Sequence, residues 1–210
     1  MPYMIVPYNH KHAAVAAELH AAGQPGTFLT SLGPAFLRAL YEQMAASPLC
    51  FGYVAVDGDE MVGVVTGAVD SGAIFRELAL KRGHKLVLPV LGSIVRRPSQ
   101  LVRIVQTMFY PAQVKPEPGE TEMLFLSSRA DYRGQGIGRA LYWAFVEGSR
   151  ERGYSAVGLS VDVANEHAVR FHERQGMHLV REFPMYGRTF RWYVLPVTPE
   201  GRGHETAQTS

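Results

Sequence analysis

The chain contains a single cysteine, Cys50, among its 210 residues, so no intrachain disulfide can form. Such sparing use of cysteine is typical of a reducing compartment, and we expect a cytoplasmic protein. The apolar neighbours Leu49 and Phe51 favour a buried strand position for Cys50. The sequence therefore predicts a structural rather than a nucleophilic role for this thiol.

The chain also lacks a strong charge and a long apolar run. Lys and Arg number 21 against 19 Asp and Glu, so the net charge of +2 does not point to nucleic-acid binding. The longest apolar candidate, residues 86–95, is too short to span a membrane and contains a proline. Residues 1–10 do not resemble a secretory signal. Hydrophobic residues make up 47% of the chain, which is enough for a core.

Apolar periodicity and turn residues predict an α/β fold with a mixed central sheet flanked by helices. We expect one domain over residues 1–197 and a disordered polar tail over residues 198–210. The predicted strands are residues 3–7, 51–56, 61–69, 123–128, 156–162, 177–183 and 190–196. The predicted helices are residues 12–22, 34–46, 137–152 and 165–175, with residues 23–33 as a loop.

Between the third and fourth predicted strands the periodicity becomes helical over residues 71–113, interrupted by glycine and proline. This segment carries seven Lys and Arg residues against one Glu. We expect a helical insertion that shapes the acceptor side of a site or an interface with a second copy of the chain. The local basic excess favours an anionic acceptor, although solvated helix faces or a homodimer contact would explain it equally.

The most informative segment is a glycine-rich turn that follows a predicted strand and precedes a predicted helix. Glycines allow a ligand to approach the backbone closely, and a helix start offers unpaired N–H groups and partial positive charge. This combination is suited to a phosphate or diphosphate group. The segment lacks the Gly-Lys-Ser/Thr ending of a nucleotide-triphosphate loop and the spacing of a dinucleotide fingerprint. Its residues are Arg133, Gly134, Gln135, Gly136, Ile137, Gly138 and Arg139.

The spacing Arg-x-x-Gly-x-Gly resembles the acyl-CoA diphosphate loop of the GNAT family of N-acetyltransferases. A second motif follows at the separation typical of that family, with Asn165, Ala168 and Gly176 in register. The resemblance covers residues 122–183. It implies the GNAT fold, interrupted here by the helical insertion, and acetyl-CoA as the acyl donor.

The resemblance also implies roles for individual residues. The strand before the glycine loop would pair its backbone with the pantetheine arm, which falls here on Leu126, Ser127 and Ser128. Asn165 would contact pantetheine, although capping of the next helix explains it too. His172 stands where the family places a tyrosine that protonates the departing thiolate, and histidine can also donate a proton. Tyr142 and Tyr186 are alternatives for that role.

A base for the acceptor amine is less clear from the sequence. Glu122 shares strand parity with Leu124 and Leu126, so we expect these three side chains on one face. Water-relayed deprotonation through Glu122 is one interpretation, and a solvated strand-end carboxylate is the other. Glu120 and Glu182 are further candidates.

Two functions remain open at this point. The first is an N-acetyltransferase that moves the acetyl group of acetyl-CoA to a primary amine of a small molecule by direct attack. The second is a non-catalytic acyl-CoA-binding sensor or interaction module. The sequence predicts no metal site, nucleic-acid partner or membrane partner.

Overall fold

The computed structural model describes residues 3–80, 90, 102–103, 106–107 and 117–197. Seven strands and six α-helices are found in this part of the chain. The strands are β1 (Met4–Pro7), β2 (Cys50–Asp57), β3 (Glu60–Ala68), β4 (Glu120–Ser128), β5 (Ala156–Asp162), β6 (His178–Met185) and β7 (Arg188–Pro196). The helices are α1 (Ala13–Gly23), α2 (Phe28–Ser31), α3 (Pro34–Ala46), α4 (Ser71–Leu80), α5 (Ile137–Glu151) and α6 (Glu166–Arg174).

The strands form one mixed sheet in the order β1-β2-β3-β4-β5-β7-β6. β4 and β5 run parallel, joined by the crossover helix α5, and the other neighbouring pairs are antiparallel. The predicted α/β fold class is confirmed, and the seven predicted strands follow one another along the chain as expected. The boundaries agree to within a few residues, since the same apolar patterns that predict the strands form the core.

Each face of the sheet carries its own hydrophobic core. Helices α1 and α3 cover one face, where Phe36, Leu37 and Tyr41 pack on Val64 and Phe125 of the sheet. Helices α5 and α6 cover the other face with a second cluster. We refer to these as the α1/α3 face and the α5/α6 face. Burying apolar side chains on both faces is the main source of stability for such a layered domain.

Two local elements differ from the expectation. The loop predicted over residues 23–33 contains the single helical turn α2, which forms because Phe28 is buried and the Ser31 hydroxyl donates to the Phe28 carbonyl. The final hairpin is longer than predicted and closes through a two-residue turn at Tyr186 and Gly187, both with positive φ. This turn geometry matches the right-handed twist of antiparallel strands.

The predicted insertion is described only in part. Its first ten residues form α4, as the helical periodicity predicts. Residues 81–89, 91–101, 104–105 and 108–116 lie outside the described residues, and so does the predicted tail at residues 198–210. Among the described helices, none has the length and apolarity that would cross a membrane. The described residues also contain no cluster of His, Cys, Asp and Glu suited to holding a metal ion.

Candidate active site

The two parallel strands at the centre of the sheet separate along their length. β4 pairs with β5 only from Glu120 to Glu122, opposite Ala156 to Gly158. Beyond this point β5 pairs with β7 on its other side. Residues 123–128 of β4 therefore have β3 on one side and no strand partner on the other within the described part of the chain. We call this stretch the open edge of β4.

A β-bulge lies at the start of the open edge. Phe125 is opposite Thr66 of β3, whereas Met123 is opposite Gly67, so Leu124 is the additional residue. Leu124 and Phe125 both contact the α1/α3 core, and Leu126 packs against the α5/α6 core. The expectation that Glu122, Leu124 and Leu126 share a face is therefore wrong for Leu126, because an inserted residue reverses the alternation that follows it.

The open edge presents backbone groups that can hydrogen-bond a ligand. The Arg129 N–H donates to the Val62 carbonyl at 2.8 Å, which fixes these two residues as a hydrogen-bonded pair with β3. In an antiparallel ladder the residues between such pairs point their N–H and C=O groups away from the partner. The backbone groups of Leu126 and Ser128 therefore face the open side, where an extended polar chain would complete the ladder.

Ser127 is placed differently from its two neighbours. Its backbone faces β3, and its side chain lies against the C-terminal end of α1 on the α1/α3 face. A Cβ atom at Gly23 would come within 2.5 Å of Ser127 Oγ. The serine hydroxyl thus lies on the α1/α3 face, and the Ser127 backbone does not share the open side with Leu126 and Ser128.

The glycine loop joins the open edge to the N-terminus of α5. Gly134 and Gly136 adopt positive φ values of 79° and 83°, and Gly136 is the residue that precedes the first helical residue, Ile137. Non-glycine residues resist this conformation. The first N–H groups of α5 lack intrahelical acceptors, which leaves them available to an anion.

Gly138 has a conformation that any residue can adopt, and a Cβ atom there would meet no other atom within 4 Å. Nothing inside the protein therefore requires glycine at this position, whereas a ligand seated on the loop would. Arg133 and Arg139 are exposed at the rim of the loop. Arg129, by contrast, is already engaged by Glu60 and Asp131, each at 2.7 Å. The glycine loop, the first N–H groups of α5 and the two exposed arginines together fit the diphosphate of an acyl-CoA.

Asn165 caps α6. Its side-chain oxygen accepts a hydrogen bond of 3.1 Å from the Ala168 N–H, as expected for an asparagine at a helix start. The side-chain NH₂ group remains as a donor for a ligand. The capping role is observed, and contact with pantetheine remains a prediction.

His172 lies on the buried side of α6, only 7% exposed, with its ring 6.0 Å from that of Tyr142 on α5. Its Nδ1 atom and the Tyr142 hydroxyl are both buried without a hydrogen-bond partner among the described residues. Burial lowers the pKa of His172 to about 4 and raises the pKa of Tyr142 above its usual value. The ring is thus neutral near pH 7, where it can act as a neutral N–H donor rather than as an imidazolium acid.

Glu122 is buried on the α1/α3 face, with 2% of its surface exposed. It accepts a hydrogen bond from the Ser71 hydroxyl at the start of α4. The interpretation of a solvated strand-end carboxylate is therefore wrong, because the insertion begins with a helix that covers Glu122.

The two weaker base candidates lie apart from the open edge. Glu120 is at the start of β4 and accepts a hydrogen bond from the Glu117 N–H, while partial burial raises its pKa. Glu182 lies on the outer strand β6, where it accepts from Arg191 at 2.8 Å. Neither belongs to the open edge of β4.

Tyr186 connects three elements on the acceptor side. Its ring lies 5.2 Å from that of Phe28 on α2, and its hydroxyl shares a 2.6 Å hydrogen bond with Thr107 of the insertion. Burial raises the pKa of Tyr186 to about 12. The hairpin turn thereby contacts both α2 and the insertion.

Sequence reasoning missed one residue, His20 of α1. It is 4% exposed and shares a 2.9 Å hydrogen bond with the Tyr41 hydroxyl. The signal was present, because His20 continues the buried stripe formed by Ala13, Ala16 and Ala17 at helical spacing. A histidine on such a stripe is either packed or functional.

Comparison with known proteins adds a family match. A family model described as the acetyltransferase (GNAT) family matches residues 17–177. A curated mycothiol acetyltransferase from Propionibacterium freudenreichii subsp. shermanii is 38% identical over 74 residues, which is 34% of this chain. The matched segment spans 24% of that relative's length, so the likeness covers only a part of it.

Solved structures resemble the whole described fold. The ribosomal-protein-S18-alanine N-acetyltransferase from Escherichia coli superposes with a TM-score of 0.60 at 12% identity, covering 96% of this chain and 97% of that one. An aminoglycoside 6'-N-acetyltransferase complexed with coenzyme A gives a TM-score of 0.61 at 16% identity, covering 94% and 99%. At these identities the likeness concerns the fold.

Proposed function

Because the chain belongs to the GNAT family of acetyltransferases, we propose that it transfers the acetyl group of acetyl-CoA to a primary amine of a small molecule by direct attack. The family is one of acyl-CoA-dependent transferases, and acetyl-CoA is the donor that it uses. When bound, acetyl-CoA supplies an acetyl thioester. The rest of the reaction depends on how this chain's own residues hold and orient the two reactants.

The open edge of β4 carries this proposal. The backbone groups of Leu126 and Ser128 are suited to the amide-containing pantetheine arm, and the same strand leads directly into the glycine loop. Residues 133–139 would hold the diphosphate through the first N–H groups of α5, with Arg133 and Arg139 adding charge-assisted contacts. A backbone N–H of the open edge would also stabilise negative charge on the acyl oxygen.

His172 would assist the departing thiolate as a neutral N–H donor. A thiolate is a good leaving group, so this assistance contributes less than the positioning of the two reactants. Asn165 would hold the pantetheine arm near the start of α6. Glu122 remains the carboxylate that the sequence offers as a base.

The Tyr186 contacts favour a compact acceptor. We place the approach of the acceptor on the α1/α3 face, where the Ser127 hydroxyl borders the open edge of β4. On that side the Tyr186–Phe28 ring contact and the Tyr186–Thr107 hydrogen bond bridge the hairpin turn, α2 and the insertion. These contacts restrict the space for an acceptor beside the hairpin turn, which favours a small amine over a long chain.

The acceptor class is tested with two panels of amines. One contains polyamines, amino sugars and aminoglycosides, and the other contains short peptides with free α-amino groups, because one structural relative is named for acetylating a ribosomal protein. Acetylated products are identified by mass spectrometry. Acetylation of peptides alone would overturn the small-molecule proposal. Tight acetyl-CoA binding with no product in either panel would favour the non-catalytic sensor.

An anionic acceptor is a further part of this proposal. Its support is the basic excess between residues 71 and 113, most of which lies outside the described residues. Matched acidic and neutral amines in the small-molecule panel test it. A lower KM for the acidic member at low salt, lost at high salt, is the expected result.

A further inference from the structure

His20 and Tyr41 form a buried polar pair within the α1/α3 core. The His20 Nδ1 atom and the Tyr41 hydroxyl are 2.9 Å apart, and the two rings meet edge to face. The His20 ring also stacks on Phe125 of β4, with centroids 4.4 Å apart and planes inclined by 11°. Three contacts thus fix the orientation of the imidazole, and one of them, the hydrogen bond with Tyr41, is polar.

The second ring nitrogen of His20 is left without a partner. Nε2 is buried, and no described residue hydrogen-bonds it. A buried polar atom without a partner costs roughly 1–3 kcal/mol, so such atoms are rare unless a ligand or water completes them. This orphaned atom lies on the acceptor side of the sheet.

The position of His20 relative to the open edge is defined by two contacts. Phe125, on which the ring stacks, directly precedes Leu126, whose backbone faces the open side. One helical turn further along α1, Gly23 lies against Ser127. The imidazole is therefore packed on the same stretch of β4 that lacks a β5 partner, on the face from which an acceptor approaches.

We propose that His20 is the proton acceptor for the incoming amine, with Nδ1–H donating to the Tyr41 oxygen and the lone pair of Nε2 directed to the amino nitrogen. This inference rests on the proposed acetyl transfer. It makes Tyr41 a positioning residue, since its hydroxyl oxygen would accept from Nδ1–H and so hold the ring with Nε2 unprotonated.

The proposed step balances as follows for a neutral amine. The amino nitrogen bonds to the acetyl carbon as the carbon–sulfur bond breaks, and the electron pair of that bond leaves on sulfur. The surplus proton on nitrogen moves to His20 Nε2 and then passes to water. Because the nitrogen becomes acidic as the new bond forms, a neutral imidazole is a sufficient base.

The surroundings of His20 keep it in the form that can accept a proton. Burial lowers the pKa of His20 to about 4, so the ring is neutral near pH 7. Tyr41 of α3 is a titratable group in contact with the imidazole. Tyr8 meets the Tyr41 ring edge to face and donates to the Tyr41 carbonyl.

Four variants of the full chain test the assignment against the small-molecule panel. His20→Phe retains a ring that can stack on Phe125 and removes both nitrogens, and His20→Gln provides a second variant of similar size. Tyr41→Phe removes the hydroxyl that holds Nδ1. Tyr8→Phe is the matched control. It removes the hydroxyl that donates to the Tyr41 carbonyl and leaves the His20–Tyr41 hydrogen bond in place.

We expect both His20 variants to bind CoA with unchanged Kd and to lose on the order of 10²-fold in kcat, within the usual range for general base catalysis. Tyr41→Phe should lower kcat less, and Tyr8→Phe should transfer acetyl at the parent rate. Parent-level kcat in a folded His20→Phe variant overturns the proposal. Loss of transfer in Glu122→Gln, with full transfer in the His20 variants, would assign the base to Glu122 and also overturns it.

A second readout needs no acceptor. Long-range ¹H–¹⁵N spectra of histidine-labelled protein with CoA bound identify the tautomer of each neutral imidazole. We expect a protonated Nδ1 and a bare Nε2 at His20, with the opposite tautomer gaining population in Tyr41→Phe. A protonated Nε2 in the parent overturns the proposal, whether or not any panel amine is acetylated. The absence of acetylation in the panels would by itself count only against the proposed acceptor class.

Discussion

Gly23 and Ser127 approach each other so closely that the serine hydroxyl occupies the place of a side chain on the glycine. A Cβ atom at Gly23 would lie 2.5 Å from Ser127 Oγ and 3.9 Å from the Phe125 ring. The absence of a side chain at Gly23 therefore sets the distance between α1 and the open edge of β4. The acceptor side of the site depends on this distance.

We predict that Gly23→Ala destabilises the fold by about 1–3 kcal/mol, the usual cost of overpacking. Helix propensity alone would give the opposite sign, since alanine is the better helix former. Urea unfolding measures the change. Gly138→Ala is the matched control, since a Cβ atom there meets nothing within 4 Å, and it should leave stability equal or higher. Equal stability of Gly23→Ala and the parent would show that α1 shifts without cost.

Gly138→Val should fold normally and bind CoA poorly. Its side chain would occupy the space above the first turn of α5, where the diphosphate is expected. A Cβ atom at this position has no protein atom outside its own helix backbone within 4 Å. We expect the Kd for CoA to rise at least about tenfold, equivalent to about 1.4 kcal/mol. Isothermal titration calorimetry measures it. Glu151→Val, at the exposed far end of the same helix, is the control for helix propensity.

An unchanged Kd in Gly138→Val would contradict the assignment of residues 133–139 as the diphosphate seat. Titrating pantetheine alongside CoA sharpens the experiment. The variant should discriminate against CoA and leave pantetheine binding unaltered, because pantetheine has no diphosphate to be displaced.

Tyr186→Asn should separate acceptor binding from donor binding. Asparagine accepts positive φ readily, so the hairpin turn is retained, whereas the contacts with Phe28 and Thr107 are lost. We expect KM for a small amine to rise several-fold and the Kd for CoA to stay constant. Steady-state kinetics with the best panel amine measures KM, and calorimetry measures the Kd for CoA. A matching rise in the Kd for CoA would place Tyr186 on the donor side instead.

His172→Phe should keep CoA binding and lose turnover, and His172→Tyr should retain part of it. The loss of kcat should lie at or below the lower end of the 10²–10⁴-fold range of general acid catalysis, because the neutral ring offers a hydrogen bond and the thiolate leaves readily. A confirmed acceptor and thiol detection measure the effect. Transfer at the parent rate by His172→Phe would show that another donor or water assists the departing thiolate.

The two buried histidines should make the protein sensitive to mild acid. Burial lowers the pKa of His20 and of His172 to about 4, against 6.5 for an unperturbed histidine. Above pH 6.5 both folded and unfolded states are neutral and stability is complete. Between pH 6.5 and 4 only the unfolded state gains the protons, so the free energy of unfolding falls, by on the order of 3 kcal/mol per histidine. Below pH 4 this contribution stops changing.

Urea unfolding between pH 7.5 and 4 measures this slope. The double variant with phenylalanine at positions 20 and 172 should show a flatter dependence than the parent, whatever its absolute stability. An equally steep dependence in this double variant would show that the acid sensitivity comes from other groups.

The sequence predicted the strands and the glycine loop because each of these is encoded locally. Apolar runs define β2 to β5, and the loop is a run of seven consecutive residues. The family expected from the Arg133 and Asn165 motifs is confirmed by the match over residues 17–177. Local patterns also located the residues that border the open edge.

The remaining features depend on how separate elements meet. The bulge at Leu124 is a matter of register between β4 and β3, and strict alternation gives no sign of it. The burial of Glu122 depends on Ser71, which is 51 positions away in the chain. His20 was assigned to an ordinary helix because its significance comes from Tyr41 and Phe125, which only the folded chain brings to it.

The additional residue in β4 changes which residue numbers lie on each face. Before the bulge the even-numbered residues face α1 and α3, and after it the odd-numbered residues do. Removing Leu124 would restore strict alternation without turning residues 125–128, because Met123 and Phe125 already lie on opposite faces and oppose consecutive residues of β3. Phe125 would stay against His20, and the deletion would remove the Leu124 contact with the α1/α3 core together with the local bend of the bulge. Sequences aligned to this chain can therefore lack this residue and still present the same faces of β4.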